Sequence, residues 1–161
     1  MAKRTPSEIA PFLDAMDFAY DRRSWHGTNL RGSLRGVIAK QAAWRPGPDR
    51  HSIAELTVHA AYWKYAVLRR LTGQKRGTFT LDGSNWFERP ADLSEAAWKA
   101  DLALLARTHR ELRAAVAALP PARLRARIER THTVAWLLSG IAAHDLYHAG
   151  QIQLLKKLRK E

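Results

Sequence analysis

His144 and His148 stand four residues apart in the run HDLYHAGQI. On a helix that spacing stacks two side chains one turn apart, so both imidazoles can reach a single point. They share their face with Val134, Leu137, Ile141, Ile152 and Leu155. Polar rings in an apolar stripe are costly to desolvate unless something engages them. A divalent metal ion would do so, and a hydrogen-bonded core pair is the alternative. Asp145 stands where the zinc-protease signature HExxH carries its Glu, so the pattern gives no support to proteolysis. An open metal site also needs a third protein ligand, with one position left for water or substrate.

Of the seven histidines, the five besides this pair compete for that third position. His51 precedes a helix cap, His26 lies beside a glycine in a connection, His132 falls just before a helix and His109 lies in the middle of one. His59 differs, because the apolar side of its helix must face the same core as the last helix. It is the best third ligand. Three neutral imidazoles leave a divalent ion its full charge, which favours an anionic fourth ligand such as hydroxide or thiolate. Imidazole suits several transition metals; zinc or nickel is preferred, with iron or manganese also open. Asp145 is a candidate for orienting a ligand from behind, or else a salt-bridge partner. Trp25, Trp63, Asn85 and Trp86 are candidate pocket residues: Trp63 lies one turn after His59, and the others lie in connections able to approach the mouth of the site.

The elements that must position these residues read as helices. Thr5-Pro6-Ser7-Glu8 has the form of a cap and first turn, opening a short N-terminal helix with Phe12, Ala15 and Met16 on its apolar side. Thr28 is expected to cap a first bundle helix carrying Leu30, Leu34, Val37 and Ile38 inward. After the rigid turn Trp44-Arg45-Pro46-Gly47-Pro48, Ser52-Ile53-Ala54-Glu55 is a capping box that opens helix two. Its stripe is Leu56, Ala60, Trp63, Val67 and Leu71, and Gly73 is its stop. A long polar and aromatic loop from 74 to 92 follows, a length typical of lids and binding loops. Ser94 opens helix three, with Trp98, Leu102, Leu105, His109, Leu112 and Val116 at helical spacing up to Pro120-Pro121. The last helix runs from about Thr133 into the basic tail. The expectation is an all-α four-helix bundle, with residues 1–161 forming a single domain.

Composition narrows the chemistry. The chain has 161 residues and no cysteine, so disulfides, thiolate-ligated metals and a protein thiol nucleophile are excluded. Net charge is +12, which raises the question of a nucleic-acid partner. The denser basic groups, Arg123, Arg125, Arg127 and Arg130 and then Lys156, Lys157, Arg159 and Lys160, read as solvated surface. No zinc-finger, basic-zipper or RNA-binding aromatic motif accompanies them. No specific nucleic-acid partner and no membrane are expected. With neither a signal segment nor a spanning stretch in the sequence, a cytoplasmic location is expected.

Two stretches carry a family resemblance. HSIAELTVHAAYWKYAVLRRLTG, with His59, and GIAAHDLYHAGQIQLLKK, with His144 and His148, together resemble the DinB/YfiT-like family of bacterial proteins. The likeness runs from about Ser24 to Lys157 and includes SWHGTNLRG, AAWRPGPDRHSI and SNWF. It implies that these three histidines coordinate a divalent metal within a four-helix bundle. It further implies a metal-dependent transferase joining a low-molecular-weight thiol, such as bacillithiol, mycothiol or glutathione, to a small electrophile. A metal-dependent hydrolase and a non-catalytic, stress-related binding bundle are the alternatives. With no cysteine in the chain, the thiol must come from solution. A homodimer is also expected, from the resemblance and from apolar side chains left over on the leading helix.

Overall fold

The structure is a computed structural model that describes residues 7–128 and 130–159. Among these, helix α1 spans Ala10–Tyr20, α2 Leu30–Ser33, α3 Ala39–Ala42, α4 Ile53–Thr72, α5 Glu95–Ala117 and α6 Val134–Leu158. A 3-10 turn at Pro121–Arg125 and a two-stranded antiparallel ribbon, β1 Arg127–Ile128 with β2 His132–Thr133, join α5 to α6. The fold is an all-α bundle of four long helices. α6 packs against α1 and α4, and α5 closes the ring against the same two.

The caps are those the residue types call for. Ser52 accepts from the amide of Glu55 at 3.2 Å, and the Glu55 carboxylate accepts from the amide of Ser52 at 2.8 Å. Gly73 ends α4 with φ +71°, a left-handed conformation that a side chain would strain. Ser94 and Thr133 cap α5 and α6 through their hydroxyl oxygens.

The segment after Thr28 departs from expectation. It forms two one-turn helices, α2 and α3, and the cap of α2 is Asn29, whose side-chain oxygen accepts from Gly32. Gly36, at φ +74°, turns the chain between them. The turn leaves Ile38 exposed rather than facing inward. The fourth long helix of the bundle is therefore the leading one, α1. Its buried side is Leu13, Met16, Ala19 and Tyr20, while Ala15 is exposed. Thr5 and Pro6 lie outside the described residues, and Pro11 occupies the first turn of α1 instead.

The core is divided. One apolar cluster gathers Leu30, Ala42, Leu56, Trp98, Leu105 and Ile152; another gathers Ile9, Met16, Val67, Leu112, Val116 and Leu138. Each long helix also buries polar side chains: Asp17 on α1, His59 and Lys64 on α4, Thr108 and His109 on α5, and Asp145 and His148 on α6. Lys64 Nζ donates to Asp145 Oδ2 at 2.5 Å, and both side chains are fully enclosed. Removing one partner of such a pair strands a buried charge, whereas replacing both with apolar groups is tolerated. Lys64→Met is thus expected to destabilise the fold by about 3–5 kcal/mol. Urea unfolding of the double variant Lys64→Met, Asp145→Leu should recover most of that loss; equal loss in the two variants would show that the pair is not what matters.

Candidate metal centre

α4 and α6 pack against one another in the bundle, and at their contact three rings meet. His59 Nε2 lies 3.1 Å from His144 Nε2, and His148 Nε2 lies 3.0 Å from the same atom. One nitrogen from each ring falls within 4.8 Å of the others, so the three form a group able to hold a metal ion. A tetrahedral ion with bonds of about 2.0–2.1 Å to imidazole has neighbouring ligand atoms about 3.4 Å apart, close to the spacings found here.

Hydrogen bonds behind the rings fix how they present themselves. His59 Nδ1–H donates to the carbonyl oxygen of Asn85 at 2.8 Å, and His148 Nδ1–H donates to Gln151 Oε1 at 2.6 Å. In the neutral tautomers so selected, both Nε2 atoms carry lone pairs aimed at His144 Nε2. A single N–H on His144 can serve those lone pairs only by dividing itself between them. A cation at the same point would accept all three. His144 Nδ1 is buried without a hydrogen-bond partner.

The electrostatics favour uncharged rings. Burial, reinforced by the neighbouring imidazoles, pulls the His144 pKa down to about 3, and burial pulls His148 down to about 4. Burial also lowers His59, against the opposing effect of its bond to Asn85. Neutral imidazole is the form that binds a metal.

The long loop between α4 and α5 is a fixed wall of this site. Phe79 packs on Tyr62, Tyr65 and Phe87 with ring centroids 5.2–5.3 Å apart. Arg89 forks onto Asp101, at 3.0 and 2.8 Å, while its own carbonyl accepts from Arg45 at 3.0 Å. So held, the loop delivers Asn85 in a left-handed conformation at φ +65°. Asn85 binds His59 through its backbone oxygen, and its side-chain oxygen accepts from Trp63 Nε1 at 3.0 Å. Trp86 stacks on His59 at 3.8 Å and on His51 at 3.5 Å, lying between the two rings. Trp63 stands edge-on to His59 and His144, at 6.3 and 6.2 Å.

The structure thus gathers Trp63, Asn85 and Trp86 around the three histidines. Two other candidates go elsewhere. Asp145 has no hydrogen bond to any of the rings among the described residues; its carboxylate is held by Lys64, and its role here is that of a salt-bridge partner. Trp25 is 98 % exposed on the loop after α1 and makes no ring contact with the histidines among the described residues. Gln151 and Tyr147 fall beside the histidine stripe in the sequence, either able to face the pocket or a helix partner; Gln151, three residues after His148, is the one that hydrogen-bonds a ring of the site. Nothing in the sequence distinguishes His51 as the far side of the Trp86 stack, because that contact joins a connection to a distant loop.

A family model described as the DinB superfamily matches residues 22–152. No curated protein and no solved structure matches the chain.

The depressed ring pKa values set a pH dependence. In the unfolded chain these histidines take up protons as the pH falls through the ordinary value of 6.5, whereas the folded chain resists until about 4 for His148 and about 3 for His144. Their contribution to stability is therefore complete above 6.5 and is lost on acidification through that window. Chelator-treated protein should show a urea midpoint that falls between about pH 7.5 and about pH 5, and falls less in His148→Gln. An unchanged midpoint would contradict the assignment of buried neutral rings.

Proposed function

Since the chain belongs to the DinB superfamily, we propose that it is a divalent-metal-dependent enzyme that transfers a low-molecular-weight thiol to a small electrophile. His59, His144 and His148 would hold the ion, zinc or nickel by preference. Such an ion, when bound, supplies Lewis-acid chemistry and stabilises an anionic nucleophile at neutral pH. The observation that carries the reading is three uncharged nitrogen donors aimed at one point with no carboxylate hydrogen-bonded to any of them among the described residues. The buried carboxylates nearby are committed elsewhere, Asp145 to Lys64 and Glu55 to Arg45 and the amide of Ser52.

An ion so held would raise the thiolate fraction of a thiol taken from solution, and would equally lower the pKa of a bound water to about 7 without a carboxylate base; hydrolysis is the second reading. The chain's own groups then have separate tasks. Asn85 and Gln151 hold two of the rings in register, while Trp63 and Trp86 give the site apolar walls that exclude water. The chain itself has no cysteine to act as the thiol.

Metal-loaded protein offered a chromogenic electrophile should turn over with an added thiol and not without one. His59→Ala and His148→Ala should lose both turnover and the roughly one ion per chain that elemental analysis finds in the wild type. Equal turnover without thiol would reverse the order of the two readings. Equal metal content in all three proteins would remove the site.

We further propose that the partner of α6 is a second copy of this chain. Trp136, Gly140, Ala143, Tyr147, Gly150 and Leu154 are exposed along its outer face, which also carries Ser139, Leu158 and the charged Lys157. On a chain of net charge +12, the large side chains Trp136, Tyr147, Leu154 and Leu158 are 56, 64, 57 and 47 % exposed. The spacing of three and four is that of a coiled-coil seam. The order of sizes is self-complementary about Tyr147. In an antiparallel pair, Trp136 would meet Leu158, and Leu154 would enter the gap at Gly140, as a two-fold interface requires. Sedimentation should find a dimer that Tyr147→Lys with Leu154→Lys converts to a folded monomer; a wild-type monomer at micromolar concentration would overturn this.

A further inference from the structure

The tryptophan that the metal centre leaves aside lies beside a basic trough on another face. Two adjoining hollows of about 1040 and 350 Å³ run between the end of α1, the connection through α2, and α5. They share Tyr20, Asp21, Arg31 and Ala106 as walls and so form one trough. Arg22, Arg23, Arg31, Arg35, Arg110 and Arg113 line it, against only two acids, Asp17 and Asp21. Asp17 takes a forked bond from Arg113 at 2.6 and 2.8 Å, and Asp21 is paired with Arg31 at 3.3 Å. Arg23, Arg35 and Arg110 have no carboxylate partner among the described residues.

The folding of the chain collects these arginines from segments that are scattered in the sequence. At the deep end lies His109, buried and stacked on Tyr20 at 3.6 Å, with a ring nitrogen that lacks a hydrogen-bond partner. Trp25, 98 % exposed, is not itself a wall of the trough, but Arg23 and Gly27, two residues to either side of it on the same loop, both line it. Its loop is not slack: Asn29 Nδ2 donates to the carbonyl of Arg22 at 2.8 Å, and Gln153 donates to Thr28 at 3.3 Å. A structured loop that holds a whole indole in water pays for it in hydrophobic free energy.

We infer that this trough binds single-stranded nucleic acid. Guanidinium groups match phosphate oxygens with two parallel hydrogen bonds. An indole face beside the trough offers a base a stacking platform, and a basic groove with such a platform is how proteins hold single strands without reading their sequence. A membrane surface fits less well, because the arginines line a concavity rather than a flat face. An acidic peptide would use the charge but leave the indole without a flat partner. This site is separate from the three histidines and does not depend on the chemistry proposed for them.

The test is fluorescence anisotropy of labelled oligothymidylate and oligouridylate, each about ten nucleotides long, with the full chain. Binding should weaken steeply with salt, as counterion release demands. Trp25→Ala should lose about tenfold or more in affinity, and Trp25→Phe should regain most of it. Arg35→Ala should weaken every sequence alike and lower the salt slope by about one. His59→Ala should bind as the wild type does. The two probes separate DNA from RNA as the source of the strand. Unchanged affinity in Trp25→Ala, displacement by polyglutamate as effective as by unlabelled oligonucleotide, or preferential binding to anionic vesicles would each overturn the inference.

Discussion

Two hydrogen bonds from the backs of imidazole rings govern the rest of this molecule. By donating their Nδ1–H groups to the Asn85 carbonyl and to Gln151 Oε1, His59 and His148 turn unshared electron pairs toward His144. Such a meeting inside a protein is unfavourable unless a proton or a cation occupies it. Everything nearby serves to sustain it. The register of α4 against α6 sets the spacing, and an aromatic cluster pins the loop that carries Asn85. The left-handed backbone at Asn85 lets one residue serve both His59 and Trp63.

The same constraint explains why the core is split. Four long helices could have packed a continuous apolar interior, yet each carries buried polar side chains. Lys64 and Asp145 neutralise one another among these, so the histidines sit beside a pair with no net charge rather than a bare carboxylate. Farther along, Tyr20 lies with its ring centroid 5.2 Å from Lys64 Nζ and stacks on His109. Buried polar groups therefore extend from the three-histidine group to the floor of the arginine trough.

Much of this was legible in the sequence because it depends on local rules. The Ser52–Glu55 capping box, Gly73 as a stop and the four-residue step between His144 and His148 are short-range features, and each places its residues without knowledge of the rest. His59 could be matched to the pair only because its helix had to face the same core. Reading failed where the outcome depends on tertiary contacts. The segment from Thr28 carries helical spacing of apolar residues, but Gly36 turns it and α2 packs on α6 instead of extending a helix of its own. Asp145 stands next to a histidine in sequence yet faces Lys64, which lies 81 residues away. Trp25 gave no sign of which surface it would serve, since the arginines beside it come from three separate stretches.

X-ray absorption at the metal edge of zinc-loaded protein tests the central claim most directly. Three imidazole nitrogens at about 2.0–2.1 Å and one further light atom or sulfur are expected, falling to two imidazoles in His59→Gln. A shell of oxygens alone, or one with a single imidazole, would show that the three rings do not share an ion.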